Sequence, residues 1–229
     1  VRDWDTNHFG IKVANYQPTT EHEVFVGLDE GREQKVKLLM ARCNTAHSEA
    51  VSALEYIGFT LMETQVSYTF DFILDFPVVE ISIRKFKPDE VEDLVNVAKS
   101  SFPCYSGHFD NDPKIDKDKA IGVYEEWVRN ACSGKIADDV FVNDTKAGFI
   151  IVKQLDDTTG EGVLAGVMPH ERYQGIYKNL ILTAMQWCKD RGLKNIVMTT
   201  RVNNYAVQKV WQRIGYEIYG STHTFHKWL

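Results

Sequence analysis

The sequence is short of the features that stabilise or address many specialised proteins. It holds four cysteines, Cys43, Cys104, Cys132 and Cys188, and no Cys-x-x-Cys pair. That excludes a disulfide-stapled scaffold and a cysteine zinc site, and it points to a reducing compartment. No apolar run approaches the ~18 residues that a membrane span requires. No basic start followed by an apolar stretch marks a secretory leader. Val1 stands where a Met is expected, so leading residues are expected to be missing from the chain. Lys and Arg form no run, and 26 of them face 32 Asp and Glu, for a net charge of −6. Phosphate backbones and anionic membranes are poor partners for such a surface, so nucleic acid and membrane are set aside. The expected setting is cytoplasmic.

What is present is an ordinary globular balance: 229 residues, 44% hydrophobic and 25% charged. Taking roughly 150 residues per domain gives one or two domains. The pattern mixes strands and helices into an α/β fold. Strands are predicted over 35–43, 59–70, 78–86, 139–143, 146–155, 162–168, 195–201 and 216–229. Helices are predicted over 48–57, with Ser48 as cap, and from Pro88 to about Ser101. Three more follow over 117–132, 175–191 and 204–214, the last two carrying apolar stripes through Ile176, Leu180, Ala184 and Trp187, and through Val207, Val210, Trp211 and Ile214. The segment 102–116, rich in Pro, Gly, Asp and Asn, reads as a long loop. The stretches 54–70 and 211–225 parallel each other. Each runs helix, Ile-Gly-aromatic, strand, and a shift of 157 residues brings Ile57 onto Ile214 and Gly58 onto Gly215. This predicts an internal repeat and two related α/β lobes, divided as 1–75 and 76–229.

One segment carries chemistry. An apolar strand ends at Val167-Met168-Pro169, a turn Arg172-Tyr173-Gln174-Gly175 follows, and a helix begins at Ile176. The first turn of a helix has free N–H donors and about half a positive charge, which suits a pyrophosphate. Gly175 lets backbone approach it closely. Pro169 has no N–H, so the strand ladder stops there, and a strand that splays from its neighbour offers free backbone groups to an extended amide ligand. The turn is neither a dinucleotide fingerprint nor a phosphate loop ending in Gly-Lys-Ser/Thr, which disfavours NAD and nucleoside triphosphates.

The segment 167–181 resembles the acyl-CoA loop of the GNAT N-acetyltransferase superfamily, Val-x-Pro-x-x-(Arg/Gln)-x-x-Gly-x-(Gly/Ala). Val167, Pro169, Arg172 and Gly175 match it, and Tyr177 replaces the small final residue. A second element of the family, Asn, an aromatic seven residues on, then Gly-aromatic, is matched by Asn204, Trp211 and Gly215-Tyr216. The opening Trp4-Asp5-Thr6-Asn7-His8-Phe9-Gly10, the 102–115 loop, Tyr124–Gly134 and the ending Phe225–Leu229 are similar to bacterial dTDP-fucosamine acetyltransferases and their relatives. The resemblance implies a GNAT-type mixed sheet flanked by helices, with a degenerate half-GNAT lobe at the N-terminus. It also implies acetyl transfer from acetyl-CoA to the amine of a nucleotide-linked deoxy-amino sugar, with no metal. Val167, Met168, Arg172, Tyr173, Gln174, Gly175, Ile176, Tyr177, Asn204 and Trp211 would then meet the cofactor. The N-terminal lobe, which has no counterpart of 172–177, is expected to complete the acceptor pocket and to offer a homodimer contact.

Transfer to an amine needs a neutral nucleophile, a donor for the developing oxyanion, and a proton or hydrogen bond for the departing thiolate. A strand N–H near Val167 or Met168 suits the oxyanion. In the sugar acetyltransferases a Tyr protonates the thiolate, and the matching position here is Trp211, whose indole donates but is no useful acid. Tyr205, on the same helix, is the replacement candidate; solvent or backbone help is the second answer, and acyl-CoA binding without transfer the third. His108 and His170 are candidate bases. Tyr105, His108, Asp110 and Asp112, in the long loop, are the candidate acceptor residues, the two carboxylates suiting a cationic amine. A metal at Asp110-x-Asp112 is disfavoured for want of further ligands at suitable spacing. The competing functions are a non-catalytic acyl-CoA-binding or sensing module and an acetyltransferase for another small amine.

Overall fold

The computed structural model describes residues 1–102 and 107–229. Cys104 and Tyr105 therefore lie outside the described residues. The N-terminal part runs α1 (Asp3–Phe9), β1 (Val13–Tyr16), α2 (Glu21–Glu33), β2 (Leu38–Asn44), α3 (Ser48–Tyr56) and β3 (Thr60–Asp71). The rest runs β4 (Ile83–Lys85), α4 (Val91–Ser101), α5 (Lys117–Cys132), β5 (Asp139–Asn143), β6 (Gly148–Gln154), β7 (Thr159–Val167), α6 (Ile176–Asp190), β8 (Asn195–Arg201), α7 (Tyr205–Ile214) and β9 (Glu217–Trp228). Among the described residues, no helix is long and apolar enough to cross a membrane.

The strands join in one mixed sheet in the order β1-β2-β9-β3-β8-β7-β6-β5-β4. The internal repeat governs its centre. Shifting β2 by 157 residues lands on β8, and shifting β3 lands on β9. β1 and β2 are parallel, as are β7 and β8. The last strand of each repeat pairs with its counterpart, antiparallel, from Thr60 opposite His226 to Thr69 opposite Glu217. Each also pairs with the other repeat: β9 with β2, and β3 with β8. The two halves are thus interleaved, and the C-terminal strand lies inside the N-terminal half.

Alternation along β6 shows why the sheet is covered on both faces. Ile150 and Val152 pack under α6, while Phe149 and Ile151 pack under α4 and α5. A strand buried on both faces reads as a continuous apolar run.

Several sequence expectations are corrected. The strand expected over 78–86 shrinks to Ile83–Lys85. Just before it, the backbone binds a side chain instead of a ladder: Glu80 N–H donates to Asn179 Oδ1 of α6 at 2.6 Å. Pro88 opens a single tight turn, and α4 starts at Val91. Ser48 is the first helical residue rather than the cap, which is His47. α1, β1 and α2 carry no clear periodic signal; α2 buries only Val24, Leu28 and Gly31, too thin a stripe to announce a helix.

α6 packs on the sheet and carries Tyr177 to the cavity described below. Its Leu180 is fully buried against the sheet. Leu180→Ala is expected to cost about 3 kcal/mol, read as a lower urea midpoint with an unchanged slope.

Candidate active site

β7 and β8 pair only from Thr159 opposite Asn195 to Gly162 opposite Met198. Beyond that they part. The parting coincides with a bulge in β7, where Ile151 faces Leu164 but Val152 faces Gly162. An extra residue in one strand bends it and increases its twist. The splay therefore starts near Val163, well before Pro169, whose missing N–H is not its cause.

The alternation of an antiparallel ladder then decides which backbone groups are free. Met168 N–H donates to Ala147 O at 2.8 Å, so it is not available for an oxyanion. Hydrogen-bonded and non-bonded pairs alternate. With Gly148 opposite Val167 and Ile150 opposite Ala165, the N–H groups of Val167 and Ala165 turn away from β6, toward the open side.

The turn after β7 is held from within. Arg172 Nε–H donates to Val167 O at 3.3 Å, and its terminal N–H donates to Ser101 O of α4 at 3.2 Å. Tyr173 and Gly175 both take left-handed backbone, with φ of +67° and +82°. Tyr173 and Gln174 are exposed, and Ile176 is buried as the first residue of α6. Among the described residues no side chain caps α6, and no acidic residue lies in its first turn. Its leading N–H groups are thus open to an anion.

A cavity of about 150 Å³ opens at the splay. One side is apolar and aromatic: Tyr177 of α6, and Asn204, Val207 and Trp211 at and in α7. The other mixes polar and aromatic groups: Arg42 of β2, Glu63 and Gln65 of β3, and His108 and Asp110 of the long loop, beside Tyr124 and Trp127 of α5. Since α6 packs on one face of the sheet and α4 and α5 on the other, the cavity passes through the sheet. Of the residues singled out in the sequence, Tyr177, Asn204, Trp211, His108 and Asp110 converge on it. Val167, Met168, Arg172 and Gly175 form the adjoining turn. Tyr205, His170 and Asp112 do not line it. Tyr205 is 66% exposed at the start of α7. His170 is exposed beside Glu171.

Trp211 is both core and lining. It is 2% exposed and sits edge-on to Tyr68, with ring centroids 5.3 Å apart. Its Nε1 is buried without a hydrogen-bond partner among the described residues. Asn204 precedes α7 but does not cap it through its side chain; Nδ2 donates to Thr200 Oγ1 of β8 at 2.9 Å.

The polar end is built by a second bulge. Leu61 faces Phe225 and Glu63 faces Thr224, leaving Met62 extra. Met62 O accepts from Asn111 Nδ2 at 2.6 Å, and Glu63 Oε2 accepts from His108 N–H at 3.2 Å. These bonds fasten the described part of the loop to β3. Burial raises the Glu63 carboxyl above its usual range, against the pull of Arg201, Gln65, the His108 N–H and Arg42. Burial likewise raises Asp110, against the Gly107 N–H that it accepts at 3.0 Å. Asp112 is buried behind the wall, where Oδ2 accepts from His226 Nδ1 at 2.8 Å and from Trp228 Nε1 at 3.0 Å. Among the described residues no group of three His, Cys, Asp or Glu is placed to hold a metal. Glu63 and His226 are not singled out by the sequence, and Arg42 is one of four arginines, with Arg2, Arg84 and Arg201, that the sequence offers as a cation for a diphosphate without placing it. Arg42, Glu63 and His226 each lie on a strand whose partner comes from the other half of the chain, and only the Phe225–Leu229 ending gave any signal.

Residues 92–216 match the acetyltransferase (GNAT) family. The chain belongs to the GNAT acetyltransferase family. It is 21% identical over 229 residues to the dTDP-fucosamine acetyltransferase of Escherichia coli, covering 98% of this chain and 95% of that one. It is 22% identical over 144 residues to the spore coat polysaccharide biosynthesis protein SpsD of Bacillus subtilis, covering 62% of this chain and 49% of that one. Among solved structures, a GCN5-related N-acetyltransferase from Sphaerobacter thermophilus superposes with a TM-score of 0.61 at 12% identity, over 87% of this chain and 64% of that one. This GNAT protein is accordingly an acetyl-CoA-dependent N-acetyltransferase, and its mixed sheet is the fold that the sequence resemblance implied.

Gly175 has the one left-handed conformation in the turn that adjoins a helix start. Gly175→Ala puts a Cβ on that backbone and is expected to lower stability by roughly 1 kcal/mol, seen as a drop in the thermal midpoint.

Proposed function

We propose that this GNAT enzyme acetylates the amine of a nucleotide-linked deoxy-amino sugar. The observation that carries the reading is the two-ended cavity. Its apolar end adjoins the Arg172–Gly175 turn, and its polar end contains an unsatisfied cation. Arg42 lines the cavity, and no hydrogen bond or ion pair within 4 Å engages its guanidinium among the described residues. Burial, and then the neighbouring Arg2, lower its affinity for a proton, while Glu63 and Asp5 oppose them. A bound anion would relieve that arrangement, as a diphosphate does in an arginine fork. A polyamine has no anion to offer. The names of the E. coli and B. subtilis relatives point to the same chemistry.

In this reading the pyrophosphate of acetyl-CoA rests on the first turn of α6, with Val167 to Tyr177 as its contacts. The pantetheine lies along the open side of β7, and Asn204 and Trp211 meet it from α7. The acceptor occupies the polar end, completed by β2 and β3 of the N-terminal lobe. The neutral amine attacks the thioester carbonyl. The N–H of Ala165 or Val167 stabilises the oxyanion. The departing thiolate takes a hydrogen bond from Trp211 Nε1, the buried donor on the lining. A thiol pKa near ~8.5 makes that thiolate a tolerable leaving group; the nitrogen sheds a proton to water as the amide forms, and water protonates the thiolate. Tyr205 has no place on the lining and is assigned no role in the step.

Three experiments test this. Thiol release from acetyl-CoA, followed with a panel of dTDP- and UDP-linked amino sugars, is expected to require the sugar; no release with any of them would overturn the reading. Arg42→Ala is expected to raise the acceptor KM at least tenfold and leave the acetyl-CoA KM unchanged. Trp211→Phe is expected to lower kcat about tenfold or more, and Tyr205→Phe to keep kcat within about threefold. A hundredfold loss in Tyr205→Phe would make Tyr205 the acid and remove the role assigned to Trp211.

A further inference from the structure

Behind the polar end of the cavity lies a chain of three titratable side chains. His108 Nδ1 is 3.0 Å from His226 Nε2, and His226 Nδ1 is 2.8 Å from Asp112 Oδ2. His226 is 1% and Asp112 2% exposed. His108 lines the cavity, and its Nε2 has no hydrogen-bond partner among the described residues. Four elements meet here: the long loop supplies His108 and Asp112, β9 supplies His226, and β2 and β3 supply the surrounding wall.

We propose that Asp112, His226 and His108 form a proton relay in which His108 Nε2 removes the proton from the acceptor ammonium. The proposal rests on the function proposed above. In it His108 is the catalytic residue, and His226 and Asp112 are positioning residues.

The hydrogen-bond pattern fixes the direction of the relay. Asp112 accepts three donors: His226 Nδ1, Trp228 Nε1 and the Lys114 N–H at 3.0 Å. Burial alone would raise its pKa, but these donors outweigh it and hold the carboxyl below its usual range. An ionised carboxylate only accepts, so the proton on His226 sits at Nδ1. Neutral His226 then has a lone pair at Nε2. His108 must donate to it from Nδ1, which leaves the lone pair of His108 at Nε2, the free nitrogen of the cavity residue. Both rings are thereby held in the Nδ1–H tautomer by a single carboxylate.

The relay answers a charge problem. The groups that face His108 are Arg2, Arg42 from β2, Glu63 from β3, His226 from β9 and Asp110 in its own loop. Burial first, then His226, Arg42 and Arg2, hold its pKa well below the ordinary value. A cation cannot rest on that ring. When Nε2 takes the ammonium proton, the Nδ1 proton passes to His226 Nε2. The positive charge then sits next to ionised Asp112, away from the arginines. One N–H bond of the substrate breaks, one forms on His108, and one proton moves between the rings. The neutral amine is left to attack the thioester.

The test uses the full chain with acetyl-CoA and the nucleotide-linked amino sugar that gives the fastest thiol release. His108→Gln is expected to lower kcat about a hundredfold. His226→Gln, which keeps a hydrogen-bonding side chain but cannot take up a proton, is expected to lower kcat tenfold or more, with the acetyl-CoA KM within twofold. The loss in both should be largest at low pH and should shrink as pH rises and the amine deprotonates by itself. A purely structural role would lower the rate by the same factor at every pH, and that outcome overturns the relay. Nitrogen-15 spectra of the histidines in the wild-type protein add a readout that needs no substrate. Nδ1–H on both rings, with His226 changing tautomer in Asp112→Asn, supports the relay; Nε2–H on either ring in the wild type overturns it. If no sugar drives thiol release, the proposed function fails, and these spectra still decide whether the relay is assembled.

Discussion

Strand β9 lies between β2 and β3, and the polar end of the cavity depends on that insertion. The last twelve residues of regular structure, Glu217–Trp228, close the sheet of the N-terminal half. His226 reaches Asp112 and His108 only because its strand sits opposite Met40 of β2 and Thr60 of β3. Arg42 and Glu63 reach the same cavity from those two neighbours. A three-strand junction of this kind couples the ends of the chain: loss of β9 removes His226 from behind the cavity and parts β2 from β3 in the sheet. The antiparallel contact between β3 and β9 is also where the two repeats meet, so the exchange that joins the halves is the same contact that forms the polar end of the cavity.

The other end depends on a smaller constraint, the extra residue at Val163. In a regular parallel pair β7 and β8 would satisfy each other along their length, and no backbone donor would face a ligand. The bulge leaves β7 bonded to β6 on one side and open on the other. Ladder parity then leaves Ala165 and Val167 as the open N–H groups and commits Met168 to Ala147. The turn that follows is stabilised by Arg172, whose two bonds go to backbone oxygens, Val167 O and Ser101 O. That arginine is therefore a brace for the turn between β7 and α6 as well as a candidate cofactor contact. Its spacing in the loop motif has a structural reason that holds with no ligand present.

Much of the C-terminal half is legible in the sequence because its signals are local. Lys117–Cys132, Asp139–Asn143 and Asn195–Arg201 have the bounds that pattern and punctuation give, since each has a uniform apolar period and a clear stop. The repeat is legible from one Ile-Gly-aromatic pair, because the helix-ending glycines Gly58 and Gly215 both take left-handed backbone, a requirement visible at the residue level. The first three elements are not legible. α2 buries too few side chains to show a period, and β1 is four residues long. The site divides in the same way. The loop and helix residues from Val167 to Tyr177 follow one another in sequence and carry a motif. Arg42, Glu63 and His226 come from three strands far apart in the chain, and only strand order brings them together. The sequence offers Asp112 as an acceptor contact because it lies in the long loop beside Asp110, where the pair suits a cationic amine; burial of its carboxylate by His226 and Trp228 is a tertiary fact.

The charge arrangement at the polar end explains why such dispersed residues belong together. Arg2 and Arg42 favour an anion and disfavour a protonated His108. Glu63 lies on the same wall, its carboxyl raised by burial and so only a partial counterweight. An acceptor that brings both an anion and an ammonium would satisfy the arginines with the first and burden His108 with the second. A second imidazole separates these demands. It moves the incoming charge one ring deeper, from a position beside two cations to one beside a carboxylate that already has three donors. A carboxylate placed directly behind His108 would have to share the wall with Arg42 and would pair with it, leaving neither an anion site nor a poised base. Interposing His226 keeps Asp112 out of reach of the arginines while its charge still governs the proton at the cavity surface.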